Sequence, residues 1–193
     1  MRKEKILILI SGPHASGKTT IAKAIAEEFG LRYISAGEIF RSMARERGMD
    51  LVQFTKYVEE NPDIDYEIDN RMIEEMRKGN VVVDSQLAYF FSQKIREEGI
   101  IRISMMIYAD LERRIQRLMK REGLSREEAI EEIRIREESE RNRFKKLYGV
   151  DLWALDDFDI IVNTSHLTID EAIGLCISIT RALLQIKKGN PQN

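Results

Sequence analysis

Apolar residues gather in five short runs, at 6–10, 31–34, 81–83, 101–108 and 160–162, and at least one segment with helical periodicity lies between each run and the next. Strands that alternate with helices predict a parallel α/β sheet, because a parallel pair of strands needs a crossover long enough to be a helix. The first, third and fifth runs are almost wholly apolar rather than alternating, the pattern of strands covered on both faces. Punctuation agrees with this register. Gly30, Gly48, Gly79 and Gly99 each follow a helical run, where a left-handed residue is favoured, and Asn61-Pro62 closes another. Ser35, Ser125 and Thr168 each precede a glutamate by three residues, the capping-box spacing that starts a helix.

Two segments break the alternation of strand and helix. Residues 36–78 hold two or three helices between the second and third strands, and residues 121–152 are charged and predominantly helical between the fourth and fifth. Either can cover a ligand held at the carboxyl ends of the strands. At 193 residues the chain is long enough for one well-buried core, with no internal repeat, so a single domain over 1–187 is expected, with a frayed tail at 188–193. Lysine and arginine total 31 against 33 acidic residues, a formal charge of −2, which excludes a general nucleic-acid binder. The longest apolar run is far short of a membrane span and the first residues lack a secretory apolar region, so the expectation is a cytoplasmic protein without a membrane partner. Cys176 is the sole cysteine, in an apolar helical stretch; no intrachain disulfide or thiolate metal site can form, and it reads as a small core residue.

Chemistry enters at Gly12, Pro13, His14, Ala15, Ser16, Gly17, Lys18, Thr19 and Thr20, which spell G-x-x-x-x-G-K-T between the first strand and a helix. Such a loop turns successive backbone N–H groups toward one oxyanion, and the helix start adds partial positive charge. Lys18 is expected on the β and γ phosphates of ATP and Thr19 on Mg²⁺. Asp84 ends the third apolar run, at the carboxyl edge of the sheet, where it either assists the metal or simply opens a turn. Arg136 and Arg143, two helical turns apart, share a face from which both can grip a polyphosphate. Arg134 and Arg141 repeat the spacing on another face, and Arg114, Arg117 and Arg121 line a polar face beside the core stripe Leu111, Ile115 and Leu118. Seven interspersed glutamates also describe a salt-bridged solvent face, and both readings stand for any one arginine; for the set, two or three are expected to serve a transferring phosphoryl group. Arg41 lies two turns into the helix that Ser35 opens, on the side of Gly37, where it can bind an acceptor phosphate. His14 and His166 show no partner pattern for base or metal work.

Taken together, these residues resemble the archaeal-type cytidylate kinases of the nucleoside monophosphate kinase superfamily. Besides the phosphate loop, the resemblance is carried by Ile34-Ser-Ala-Gly-Glu-Ile-Phe-Arg41, Ala44-Arg-Glu-Arg-Gly-Met49, Asp63-Ile-Asp-Tyr-Glu-Ile-Asp69, Arg136-Glu-Glu-Ser-Glu-Arg141, Tyr148-Gly-Val-Asp151 and Asp159-Ile-Ile-Val-Asn-Thr-Ser165. It implies a P-loop fold: a five-stranded parallel sheet with flanking helices, a core of 1–35, 79–120 and 153–187, an acceptor-binding insert at 36–78 and a lid at 121–152. It also implies transfer of the γ-phosphoryl group of MgATP to CMP, with dCMP and UMP as further acceptors; a monomer is expected. Ser35, Arg41 and Asp69 would then contact the acceptor, while Lys18, Arg136 and Arg143 stabilise the transferring phosphate. The chain departs from the family on the acceptor side, where Asp84-Ser85-Gln86-Leu87-Ala88-Tyr89-Phe90 stands in place of an acidic residue, Gly-Arg and Leu-Ala-Gly-Trp. Gln86 keeps hydrogen bonding there without the charge, and Met72 replaces a glutamine. These departures leave two alternatives: a kinase for another small acceptor, and an ATP-binding module that transfers nothing. No Asn-Lys-x-Asp motif points to guanine recognition.

Overall fold

Each of the five apolar runs forms a strand: β1 (Lys5–Ser11), β2 (Arg32–Ser35), β3 (Val81–Asp84), β4 (Ile100–Tyr108) and β5 (Ile160–Asn163). The computed structural model describes residues 5–95, 99–152, 156 and 158–189. The strands pair in parallel in the order β2-β3-β1-β4-β5, which puts β1 at the centre. Successive side chains of a strand point to opposite faces. Leu7, Leu9, Val81 and Val83 accordingly face one core with Phe54, Met72, Met76 and Phe91. Ile8, Ile10, Val82, Met105 and Ile107 face another with Ile21, Ile25 and Cys176. Cys176 is fully buried and burial pushes its thiol up to about 11, so it packs as expected of a small apolar residue. The expectation of two covered faces holds for β1 and β3 and fails for β5. As the sheet's edge strand it leaves Ile161 45 % exposed.

Helix α1 (Lys18–Glu28) follows the phosphate loop and packs against α8 (Ile169–Gly189). The segment between β2 and β3 holds three helices, α2 (Ala36–Glu46), α3 (Leu51–Glu60) and α4 (Asp63–Lys78). A short α5 (Ala88–Ser92) follows β3, and α6 (Leu111–Glu122) and α7 (Arg126–Tyr148) fill the stretch from β4 toward β5. The caps behave as their sequence spacing predicts. Ser125 and Glu128 exchange side-chain bonds to each other's backbone N–H, as do Thr168 and Glu171, and Ser35 Oγ accepts from the Glu38 N–H. Asp50 and Gln53 form a further capping box. Helix α8 extends to Gly189, two residues into the expected tail of 188–193; residues 190–193, like 1–4, lie outside the described residues. One expectation needs correction. Ile115 and Leu118 are core residues, but Leu111 is 51 % exposed because it sits in the first turn of α6, beyond the cover of α7. Among the described residues no helix is long and apolar enough to cross a membrane.

Candidate active site

The phosphate loop joins the carboxyl end of the central strand to the N-terminus of α1. Gly12 has φ +150, and a Cβ there would stand 2.1 Å from the Ile107 carbonyl oxygen of β4, so only glycine fits. Gly17 has φ +99 and caps α1 without a side chain. No acidic residue occupies the first turn of α1, which leaves its positive end to an external anion. Ala15 holds φ +60, a left-handed conformation that costs a non-glycine residue about 1–2 kcal/mol. Lys18 Nζ donates to the Pro13 carbonyl at 3.3 Å. Burial lowers its pKa while the Asp84 carboxylate opposes that shift.

Asp84 sits beside the loop because parallel register sets it next to Ile10 on β1 and Ser35 on β2. Three hydroxyls donate to its Oδ2: Thr19 Oγ1 at 2.6 Å, the Tyr33 phenol at 3.2 Å and Ser35 Oγ at 3.3 Å. Ser35 thus caps α2 and holds Asp84 at once. Burial and the nearby carboxylate raise the Tyr33 pKa, keeping the phenol a donor. Tyr33 escaped the sequence reading, although its place two residues before Ser35 puts both on one face of β2. The donor set suits Mg²⁺, a hard cation that takes one or two protein oxygens and completes its shell with substrate phosphates and water. It does not suit a softer metal, and among the described residues no three His, Cys, Asp or Glu side chains cluster as a cage.

Opposite the loop, three helices each contribute one face to a single cleft. Gly37, Phe40 and Arg41 come from α2, Asp65, Ile68 and Asp69 from α4, and Arg136, Glu140 and Arg143 from α7, all at helical spacings of three or four. Lys18, Ser35, Asp84 and Gln86 line the same cleft. Arg41 is half-buried; burial lowers its pKa, and the charges of Arg136 and Arg121 press in the same direction. A Cβ on Gly37 would lie 3.4 Å from Arg41 Nη1, so the glycine leaves room for the guanidinium. Arg136 lies over the Phe40 ring at 5.8 Å and within 3.4 Å of Glu132. Arg143 is 3.2 Å from Asp65, and its buried Nε and Nη1 donate no hydrogen bond. Three cations drawn together in this way can receive a polyanion. Gln86 turns its amide oxygen to the Gly12 N–H at 3.4 Å and so joins this cleft to the phosphate loop.

The far end of the cleft is acidic. Burial pushes Asp69 up to about 7, against the Tyr148 hydroxyl that donates to it at 2.6 Å, and pushes Asp65 up to about 6, against the Arg143 charge. Asp65 was missed in the sequence, though it lies one turn before Asp69. His14, to which the sequence assigned no partner, meets Glu140 at 3.0 Å. The remaining arginines divide by face. Arg134 and Arg141 are exposed, and Arg134 pairs with Glu131 and Glu138, the solvent-face reading. Arg114 and Arg117 instead grip the phosphate loop: Arg114 donates to the His14 carbonyl at 3.2 Å, and Arg117 donates to the Ser16 carbonyl at 2.7 Å and to Thr164 Oγ1 at 3.1 Å. Beside the loop a second hollow opens between α6 and the segment after β5, lined by Ala15, Gly17, Arg117, Arg121, His166 and Thr168.

The model of the cytidylate kinase-like family matches residues 7–166. The chain belongs to the cytidylate kinase-like family. Within it, the chain is 40 % identical over 184 residues to the cytidylate kinase of Methanopyrus kandleri, spanning 93 % of this chain and 95 % of that one. It is 43 % identical over 165 residues to the cytidylate kinase of Pyrococcus horikoshii, spanning 86 % and 83 %. Solved structures share the fold at low identity. A gluconokinase from Sinorhizobium meliloti superposes with a TM-score of 0.58 at 16 % identity, covering 98 % of this chain and 99 % of that one. A shikimate kinase from Acinetobacter baumannii gives 0.53 at 15 % identity, covering 96 % of both. The family's matched region contains every element of the cleft, from the phosphate loop to the C-terminus of α7.

Proposed function

We propose that the protein is a cytidylate kinase that transfers the γ-phosphoryl group of ATP to CMP. The observation that carries this reading is the single cleft with a phosphate loop on one wall, the Arg41–Arg136–Arg143 cluster opposite and a carboxylate pair at its far end. ATP seats its phosphates on the loop, and its base enters the hollow beside Arg117. The acceptor's phosphate meets Arg41 and the α7 arginines, with Ser35 and Gly37 at its side. Three arginines there make good the charge that Gln86 lacks. The base of the acceptor reaches Asp65 and Asp69. The exocyclic amine of cytosine donates to a carboxylate, whereas the carbonyl that uracil carries in that place is repelled by one that is ionised. Segment 121–152 serves as a lid and 36–78 as the acceptor-binding insert, and the enzyme acts as a monomer. ATP and CMP meet in the cytoplasm, where the enzyme acts.

In the reaction an acceptor phosphate oxygen attacks the γ phosphorus in line. The new P–O bond forms as the bond to the β–γ bridging oxygen breaks, and that electron pair leaves on ADP. The attacking oxygen is already anionic, so no general base is required, in keeping with a cleft whose one histidine is held by Glu140. Lys18, Arg136 and Arg143 neutralise the charge that gathers on the equatorial oxygens. Thr19 and Asp84 would hold Mg²⁺, directly or through water, and the ion would supply charge neutralisation for the phosphates. Excluding water beneath α7 keeps ATP from hydrolysis. Lys18→Ala tests the assignment: CDP formation falls by about 10²-fold or more, the loss expected for one preorganised donor. Transfer at near wild-type rate by that variant would overturn it.

A further inference from the structure

The side chain of His14 has no task in cradling phosphate, which the backbone of the loop performs. Its polar groups nevertheless turn to helices far along the chain. The imidazole Nε2 lies 3.0 Å from Glu140 Oε2, out of line for a hydrogen bond, the backbone N–H of His14 donates to Glu137 Oε1 at 3.1 Å, and its backbone carbonyl accepts from Arg114 Nη1 at 3.2 Å. Arg114 closes the ring by donating to Glu137 at 2.5 Å. The His14 and Glu140 side chains are only 13 % and 16 % exposed. Glu140 stands on α7 between Arg136 and Arg143, four residues after one and three before the other, on the same helical face. Whatever fixes Glu140 fixes the azimuth and depth of both arginines.

We propose that His14 is a positioning residue that docks α7 on the phosphate loop through Glu140 and so sets Arg136 and Arg143 for phosphoryl transfer. The inference rests on the kinase reading above. The charged groups acting on the imidazole are Glu140 and Arg136 from α7 and Lys18 from α1, while Glu137 of α7 and Arg114 of α6 bind the His14 backbone. Burial, with Arg136 and Lys18 beside it, lowers the His14 pKa to about 4, outweighing the carboxylate of Glu140. The imidazole is therefore neutral at ordinary pH and lies in close contact with an ionised Glu140. A neutral ring here adds no further cation to the cluster that must receive the phosphates. It also keeps the contact unchanged through the neutral range.

The test is a double-mutant cycle of His14→Ala and Glu140→Gln, with His14→Gln as the variant that restores a polar group near the Nε2 position. With ATP and CMP, His14→Ala is expected to lower kcat about 10- to 100-fold while KM for CMP moves less than about threefold, the signature of lost orientation rather than lost binding. The share of ATP hydrolysed without transfer rises, His14→Gln recovers most of the loss, and the double variant is no worse than the poorer single one. A kcat for His14→Ala within twofold of wild type, or kinetic losses that multiply in the double variant, overturns the proposal. The same cycle read by thermal melting needs no substrate. Non-additive shifts are expected there, and strictly additive ones overturn the contact even if the wild type proves inactive toward CMP, an outcome that would by itself defeat only the kinase reading.

Discussion

Replacing Asp69 with asparagine should stabilise the protein at pH 8 far more than at pH 5. Asp69 is only 6 % exposed, and burial holds its carboxyl at about 7 against an ordinary 3.8. That difference corresponds to about 4 kcal/mol of penalty on the ionised form once the group is fully ionised. The sign follows from linkage. Between about pH 4 and pH 7 the folded protein holds a proton that the unfolded chain has released, so stability falls as pH rises through that window and levels off above it. By pH 5 wild type has incurred about 1–2 kcal/mol of the penalty, so roughly 2–3 kcal/mol more is lost between pH 5 and pH 8. Asparagine has nothing to ionise and keeps an oxygen for the Tyr148 hydroxyl. It also removes the repulsion by the Asp65 carboxylate that adds to the cost of ionising Asp69. For a chain of this size the difference in Tm between variant and wild type should widen by about 5–10 °C from pH 5 to pH 8. Melting curves of both proteins at the two pH values, without nucleotide, provide the measurement. A gap that stays constant within about 2 °C would refute the reasoning, because it would mean Asp69 ionises freely in the fold.

Gly12→Ala must place a methyl 2.1 Å from the Ile107 carbonyl oxygen, at a φ that alanine rarely adopts. A loss of about 3 kcal/mol is expected, read as a Tm lower by roughly 6–12 °C, and a variant as stable as wild type would show that β4 yields easily there. Asp84→Asn preserves the shape that Thr19, Tyr33 and Ser35 surround and removes the charge. The Mg²⁺ concentration for half-maximal rate should rise about tenfold or more, with nucleotide binding in EDTA unchanged; an unaltered Mg²⁺ dependence would remove Asp84 from the metal's surroundings.

The sequence made the frame legible because it is written in local patterns. The runs at 6–10 and 81–83 are short, branched and unbroken, and they became the buried centre of the sheet. Ser125 and Thr168 announced their helices through contacts three residues long. The fifth run misled in one respect, since Ile160 to Val162 carries no sign that its strand ends the sheet. Lys18, Asp84, Arg41, Asp69, Arg136 and Arg143 do line one cleft, as their motifs suggested. What stayed hidden depends on long-range packing. His14 meets Glu140 only because α7 lies across the loop, 126 residues on, and Arg117 reaches Ser16 and Thr164 only because α6 packs between them. No spacing rule connects such pairs. Arg134 and Arg136 illustrate the limit: they are two residues apart in one charged helix, yet one faces solvent and the other is 5 % exposed in the cleft.

The most direct test follows ADP release with MgATP across all ribo- and deoxyribonucleoside monophosphates, beside a control without acceptor. Rapid ADP release is expected with CMP, slower release with UMP, and almost none when no acceptor is present. Equal release with and without acceptors would contradict the kinase reading.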